Sequence, residues 1–307
     1  MSQASPAFGR GLWVALTTPF GPDGEIELPA AAAHVRWLFD RGVDGIVVAG
    51  SLGEGASLSV AERLSLVTGL AAAAPPGRWR IAAVAASATR DAVALARASR
   101  AAGANGLLVL PPYVYRGDGR ETVDHVEAVL RATELPAMVY NNPAAYGVDL
   151  RPEQILELAE RCPTLAAVKE SSGDVRRITA LRALLGDRVE VAVGLDDAVV
   201  EGIAAGARGW VAGLANALPD ESRLLFDAAV RGDRPAAGAI YEWFLPLLRL
   251  DTDPKFVQEI KLVEAEVGRG ASRVRPPRHE LEGAERDALL ALVRSCLARR
   301  PAPPPPR

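Results

Sequence analysis

Residues 137–174 read AMVYNNPAAYGVDLRPEQILELAERCPTLAAVKESSGD. The apolar run AMVYN (137–141) has the length and composition of a buried strand. PEQILELAERC (152–162) carries apolar residues at helical spacing and opens on proline, a favoured first helical residue. LAAVK (165–169) is a second short apolar run. A strand, a helix and a strand in this order form the crossover that joins parallel neighbours in a sheet.

The same alternation runs outward in both directions. LWVALTT (12–18), GIVVA (45–49), RIAAVA (80–85), GLLVL (106–110), VEVAVG (189–194) and GWVAG (209–213) complete a set of eight strand-like runs. Between them lie helical patterns such as AAAAHVRWLFDRG and TRDAVALARASRAAG, and Gly42, Gly103 and Gly206 stand where such helices end. Eight strands separated by helices predict a parallel sheet closed into a (β/α)8 TIM barrel, in the α/β class. An open doubly wound sheet would favour a glycine-rich nucleotide loop after its first strand, and LTTPFGPDGE is not one. From residue 219 onward the sequence turns to helix after helix: ESRLLFDAAVRG, AAGAIYEWFLPLLRL, DPKFVQEIKLVEAEVG and GAERDALLALVRSCLARR. The expected organisation is a barrel over 1–218, a C-terminal helical extension over 219–299 packed on it, and a disordered proline-rich tail over 300–307.

Composition narrows the function classes. The chain has 307 residues, 49% hydrophobic and 24% charged, with a net charge of −3. That is ordinary globular material with no general basic field for nucleic acid or an anionic membrane. No apolar run has the length of a membrane span. The opening MSQASPAFGR lacks the charged-then-apolar order of a secretory signal, so a cytoplasmic location is expected. Cys162 and Cys296 stand far apart without a CxxC, and His34, His125 and His279 are isolated, which predicts neither a disulfide scaffold nor a metal site.

In a closed barrel, chemistry sits where strands end. The ends are AGSLGEG (49–55), LPPYVY (110–115), YNNP (140–143), KESSGD (169–174), GLDD (194–197) and GLAN (213–216). Of 35 basic residues only Lys169, Lys255 and Lys261 are lysine, and Lys169 closes a strand. Desolvation there lowers an amine's pKa, and a neutral amine attacks a carbonyl or imine, whereas guanidinium stays protonated. A surface pairing with Glu170 or Asp174 is the structural alternative. Tyr140 ends the preceding strand, where a phenol can carry protons beside Lys169. Ser51 offers a hydroxyl in a glycine-bounded turn whose N–H groups suit a carboxylate.

GSLGE near 50, YNNP near 140, VKESSGD near 169 and GLDD near 195 together resemble the dihydrodipicolinate synthase / N-acetylneuraminate lyase superfamily over about residues 10–298. The resemblance implies a Schiff-base role for Lys169, a proton-relay role for Tyr140, and a carboxylate grip by Ser51 and Leu52 with Gly50 and Gly53. Gly194, Asp196, Asn216 and Tyr113 are further candidates for substrate contact. It also implies a homotetramer, built as a dimer of dimers, and a covalent lysine imine that needs no metal or organic cofactor.

Three departures set the chain apart from the synthase of that superfamily. Leu52 replaces a second hydroxyl in the turn. Val114 stands where the synthase has a tyrosine that reaches a neighbouring subunit, leaving Tyr113 or Tyr115 as candidate substitutes. AAYG (144–147) lacks the arginine that binds an acidic substrate group. VYNNPAAYGVDLRPE, KESSGDVRRI, GLDDAVVEGIAAGARGWVAG, YEWFLPLLRLD and VRPPR are similar to the proteins of bacterial hydroxyproline catabolism. That similarity implies deamination of 1-pyrroline-4-hydroxy-2-carboxylate to 2-oxoglutarate semialdehyde and ammonia. A pyruvate-dependent aldolase or synthase is the alternative within the superfamily, and a non-catalytic binding barrel the alternative outside it.

Overall fold

A computed structural model describes residues 7–115 and 117–301. Of the proline-rich tail expected to be disordered, residues 302–307 lie outside the described residues. Eight parallel strands close on themselves in sequential order: β1 (Gly11–Ala15), β2 (Gly45–Val48), β3 (Trp79–Val84), β4 (Gly106–Val109), β5 (Ala137–Asn141), β6 (Leu165–Glu170), β7 (Glu190–Val193) and β8 (Gly209–Ala212). This is the expected (β/α)8 barrel. Around it run α1 (Leu28–Asp40), α2 (Val60–Ala73), α3 (Thr89–Ala101), α4 (Gly119–Leu130), α5 (Pro143–Tyr146), α6 (Pro152–Arg161), α7 (Arg176–Leu185), α8 (Val199–Ala204) and α9 (Pro219–Val230). Three more helices follow: α10 (Arg234–Leu248), α11 (Phe256–Glu266) and α12 (Gly283–Ala298). Among the described residues no helix is long and apolar enough to cross a membrane.

Two boundaries differ from the sequence reading. The first strand stops at Ala15 instead of Thr18, because Thr17 and Thr18 turn their hydroxyls to Glu264 Oε1 (3.0 Å) and to the Gly53 carbonyl (2.7 Å). The extension begins at Arg234 instead of 219. The first helix after β8, α9, packs on β1 and α8 and supplies the eighth helix of the barrel.

The strands are buried on both faces, as a parallel sheet under helices requires. Inside the barrel Trp13, Val47, Ile81, Leu108, Met138, Ala167, Ala192 and Val211 form one apolar plug. A larger apolar shell packs between the sheet and the helices. Successive strand residues alternate between these two environments, so the residue two positions after each plug residue points to the mouth. By that count Met138 is followed by Tyr140, and Ala167 by Lys169.

The pairing of β5 with β6 contains a register shift. Ala137 pairs with Leu165, but Met138 pairs with Ala167, so Ala166 is an extra residue on β6. The shift brings Tyr140 level with Lys169. A one-residue slip in register exchanges the faces a strand presents, so this bulge fixes which β6 residue faces inward beside the phenol.

Candidate active site

The strand ends and the extension enclose a cavity of about 580 Å³. Lys169 lies in its wall and is only 6% exposed. Burial pushes its amine below the ordinary lysine value. The amine stands 4.3 Å from the centroid of the Tyr140 ring. Gly194, across the β6–β7 pair, leaves the room this needs, since a Cβ there would lie 2.7 Å from Lys169 Cε.

Tyr140 is buried, and burial raises its phenol to about 12, so it is a proton donor at neutral pH. Asn142 Nδ2 donates to its oxygen at 3.1 Å. Asn142 has a second task. Its Oδ1 accepts from Ala145 N at 3.0 Å and caps the one-turn helix α5, which Pro143 opens and Gly147, at φ 67, closes. NNPAAYG is thus a complete start-and-stop signal for one helical turn. The turn swings Tyr146 back over the barrel mouth.

Tyr146 is the residue the sequence reading passed over when it noted the absent arginine. Its hydroxyl is in hydrogen-bonding contact with Ser51 Oγ. Its ring meets Tyr140 edge to face, with centroids 5.6 Å apart. Burial raises its phenol above the ordinary value. Ser51, Tyr146 and Tyr140 therefore line one side of the cavity with Lys169 at its end.

The turn that carries Ser51 is held from below. Glu54 closes it in a left-handed conformation, φ 55, that a non-glycine residue adopts only when held there. Glu54 is fully buried; its carboxylate accepts from Lys261 Nζ at 2.5 Å and from Arg275 N at 2.9 Å. Leu52 packs on Val257 and Ile260 of α11. Among the described residues, the N–H groups of Ser51 and Leu52 donate to no backbone or side-chain acceptor. Two free donors at the cavity wall suit a carboxylate.

The remaining sequence candidates separate clearly. Gly50, Ser51, Leu52 and Gly194 line the cavity. Gly53 does not; it passes against the Leu16 carbonyl, where a Cβ would come within 2.7 Å. Asp196 is fully buried beneath the wall. Its carboxylate accepts from Trp210 Nε1 (3.0 Å), Gly213 N (3.1 Å) and Leu214 N (2.7 Å), which tie the β7 and β8 ends together. Asn216 is likewise buried, with Nδ2 donating to Ala15 O (2.7 Å) and Gly213 O (2.8 Å). Both are structural pins where the sequence suggested substrate contact. Tyr113 packs on Tyr146 at 5.7 Å without lining the cavity, and Tyr115 is exposed and donates to Glu121.

The extension closes the cavity. The turn after α10 brings Asp251, Thr252, Asp253, Pro254 and Phe256 into its wall. Nothing in the local pattern of LLRLDTDPKF signals this, because these residues follow no strand. Among the described lining residues Lys169 is the one cationic side chain.

Comparison with known proteins agrees with this architecture. The profile of the dihydrodipicolinate synthetase family matches residues 9–296. The chain is 34% identical to a probable 5-dehydro-4-deoxyglucarate dehydratase of Methylobacterium radiotolerans, covering 95% of this chain and 99% of that protein. It is also 34% identical to a 4-hydroxy-tetrahydrodipicolinate synthase of Acidobacterium capsulatum, covering 92% and 94% respectively. A crystal structure of a putative dihydrodipicolinate synthetase from Pseudomonas aeruginosa superimposes with a TM-score of 0.88 at 31% identity, over 94% of this chain and 99% of that one.

Proposed function

The chain belongs to the dihydrodipicolinate synthetase family, and on that premise we propose that it is a Schiff-base lyase that deaminates 1-pyrroline-4-hydroxy-2-carboxylate to 2-oxoglutarate semialdehyde. Ammonia is the second product. The observation that carries this reading is the charge of the cavity wall. One amine, Lys169, is answered by two carboxyls, Asp251 and Asp253, with no arginine among the described lining residues. Such a wall suits a substrate with one carboxylate, held on the Ser51 and Leu52 N–H groups. A second acidic group on the substrate would find no bidentate partner. A relative named as a dehydratase, 34% identical over nearly its whole length, supports a water-expelling step in this fold.

In this reading the Lys169 amine attacks C2 of the cyclic imine. Transimination opens the ring and leaves C2 bound to the enzyme as an imine. The amine freed by ring opening takes the C3 proton to give an enamine, and the 4-hydroxyl leaves as water. Loss of a C5 proton with protonation at C3 turns the resulting allylic amine into a C5 imine, and hydrolysis of both C=N bonds frees the keto acid and ammonia. One net water is consumed. Tyr140, with Tyr146 and Ser51 beyond it, carries protons at the C2–nitrogen end. The lysine imine is itself the electron sink, so the chemistry calls for no metal or organic cofactor. The working form we propose is a cytoplasmic homotetramer.

A second reading, a pyruvate-condensing synthase, is favoured by relatives named 4-hydroxy-tetrahydrodipicolinate synthase. One experiment separates the two. Borohydride is added with pyruvate in one sample and with the pyrroline in another, and the Lys169 peptide is weighed. A pyrroline adduct together with ammonia before quenching supports the deaminase. A pyruvate adduct, with no ammonia from the pyrroline, transfers the protein to the synthase reading.

A further inference from the structure

Asp251 stands in the cavity wall with Lys169 but comes from the extension, not from a strand end. Its hydrogen bonding is sparse. Asp196 N donates to Oδ2 at a long 3.4 Å, and among the described residues Asp251 forms no ion pair. The neighbouring buried carboxyl, Asp196, is the opposite case, with three donors on its oxygens. Two adjacent carboxyls in a low-dielectric pocket resist ionising together. The one supplied with donors keeps the charge, and the one without them keeps the proton. Burial and the nearby Asp196 charge both push Asp251 well above the ordinary aspartate value. Asp253, the other acid in the wall, is exposed and accepts from Lys255 N at 2.7 Å, so it is not enclosed with the substrate as Asp251 is.

We propose that Asp251 is the proton donor to the departing 4-hydroxyl. This rests on the dehydrating deaminase reading above. In the lysine-bound intermediate the substrate amine freed by ring opening takes the C3 proton, the C3–H pair forms C2=C3, and the imine nitrogen takes up the displaced π pair as an enamine. That pair then returns to C2=N as C3=C4 forms and the C4–O bond breaks. The Asp251 proton goes to the leaving oxygen, giving water and the Asp251 carboxylate, which regains a proton from cavity water during imine hydrolysis. No oxidant or reductant enters. Tyr140 cannot serve both ends, because it stands against the Lys169 amine, and hence against C2, at 4.3 Å from ring centroid to nitrogen.

The test compares the wild type with Asp251→Asn on two substrates, the 4-hydroxy pyrroline and its 4-chloro analogue, whose leaving group needs no proton. Ammonia release from the hydroxy substrate should fall about 10²- to 10⁴-fold in the variant, the range for loss of a general acid. Release from the chloro analogue, corrected for its spontaneous rate, should match the wild type. The borohydride adduct on Lys169 should form in both proteins, which reports an intact fold. Equal losses with both substrates would reduce Asp251 to a positioning residue and overturn the proposal, and so would no loss with either. A wild type that traps the pyrroline yet releases no ammonia would remove the deaminase reading itself, and the donor role with it.

Discussion

Lys169 and Tyr140 are register partners on adjacent strands, with the amine 4.3 Å from the centre of the phenol ring. The single extra residue Ala166 produces that alignment. A buried amine against a protonated phenol is equipped to attack a carbon–nitrogen double bond while the phenol donates a proton to the substrate nitrogen.

Substitution of the amine by a group that stays protonated tests this first. Lys169→Arg should fold, because the long stem and the charge are kept, yet give no borohydride-stable adduct. Turnover should fall by on the order of 10³-fold or more, as for loss of a covalent nucleophile. Peptide mass after trapping is the measurement, and an adduct persisting elsewhere in the cavity would contradict the assignment.

Tyr146→Phe removes one hydroxyl and keeps the ring against Tyr140. The contact with Ser51 Oγ is lost. Turnover should drop about 10²-fold or more, as expected for a proton carrier, while slow adduct formation on Lys169 survives. Tyr113→Phe is the comparison: its ring packs on Tyr146 outside the cavity, so turnover should change little. Stopped-flow kinetics of the two variants side by side decides it.

The lowered proton affinity of Lys169 has a definite pH signature. Below its folded pKa the amine is protonated and inert; above it the amine is free. Because burial moves that pKa downward from 10.5, Lys169 should be free at pH values where an exposed lysine remains charged. Carbamylation by cyanate, a reagent small enough to enter the cavity, should therefore favour Lys169 over exposed Lys255 near neutrality. The preference should shrink as pH rises into the ordinary lysine range, where the advantage of the lowered Lys169 pKa is lost. A ratio independent of pH would show that Lys169 titrates like a surface lysine.

Lys261→Met leaves Glu54 without its 2.5 Å partner in a fully buried site. Breaking a buried ion pair from one side costs about 3–5 kcal/mol, to be read from urea denaturation. The damage should also reach substrate binding, raising KM, because Glu54 holds the turn that presents the Ser51 and Leu52 N–H groups. Adding Glu54→Gln to Lys261→Met should recover part of the stability, since no uncompensated charge then remains, without restoring KM.

Much of this protein was legible before any tertiary contact was known. The eight apolar runs and the helices between them dictate the barrel, because strand and helix periodicities are local properties of the chain. The strand-end rule then selects Lys169, Tyr140 and Ser51, since a barrel offers only those positions to its mouth. NNPAAYG also spelled out a one-turn helix locally, but the direction in which that turn aims Tyr146 depends on where β5 ends relative to β2. What the sequence could not give is long-range. Asp196 and Asn216 stand at strand ends as promising as any, yet the packing of β7, β8 and β1 consumes their polar atoms as pins. Asp251 lies 82 positions beyond Lys169 in the numbering, on a segment with no strand to announce it. Only the folding of the extension across the barrel mouth makes it a wall of the same cavity. Local pattern determines which elements form. The burial and charge of a side chain depend on neighbours distant in sequence, so only the tertiary structure decides which polar groups remain free to do chemistry.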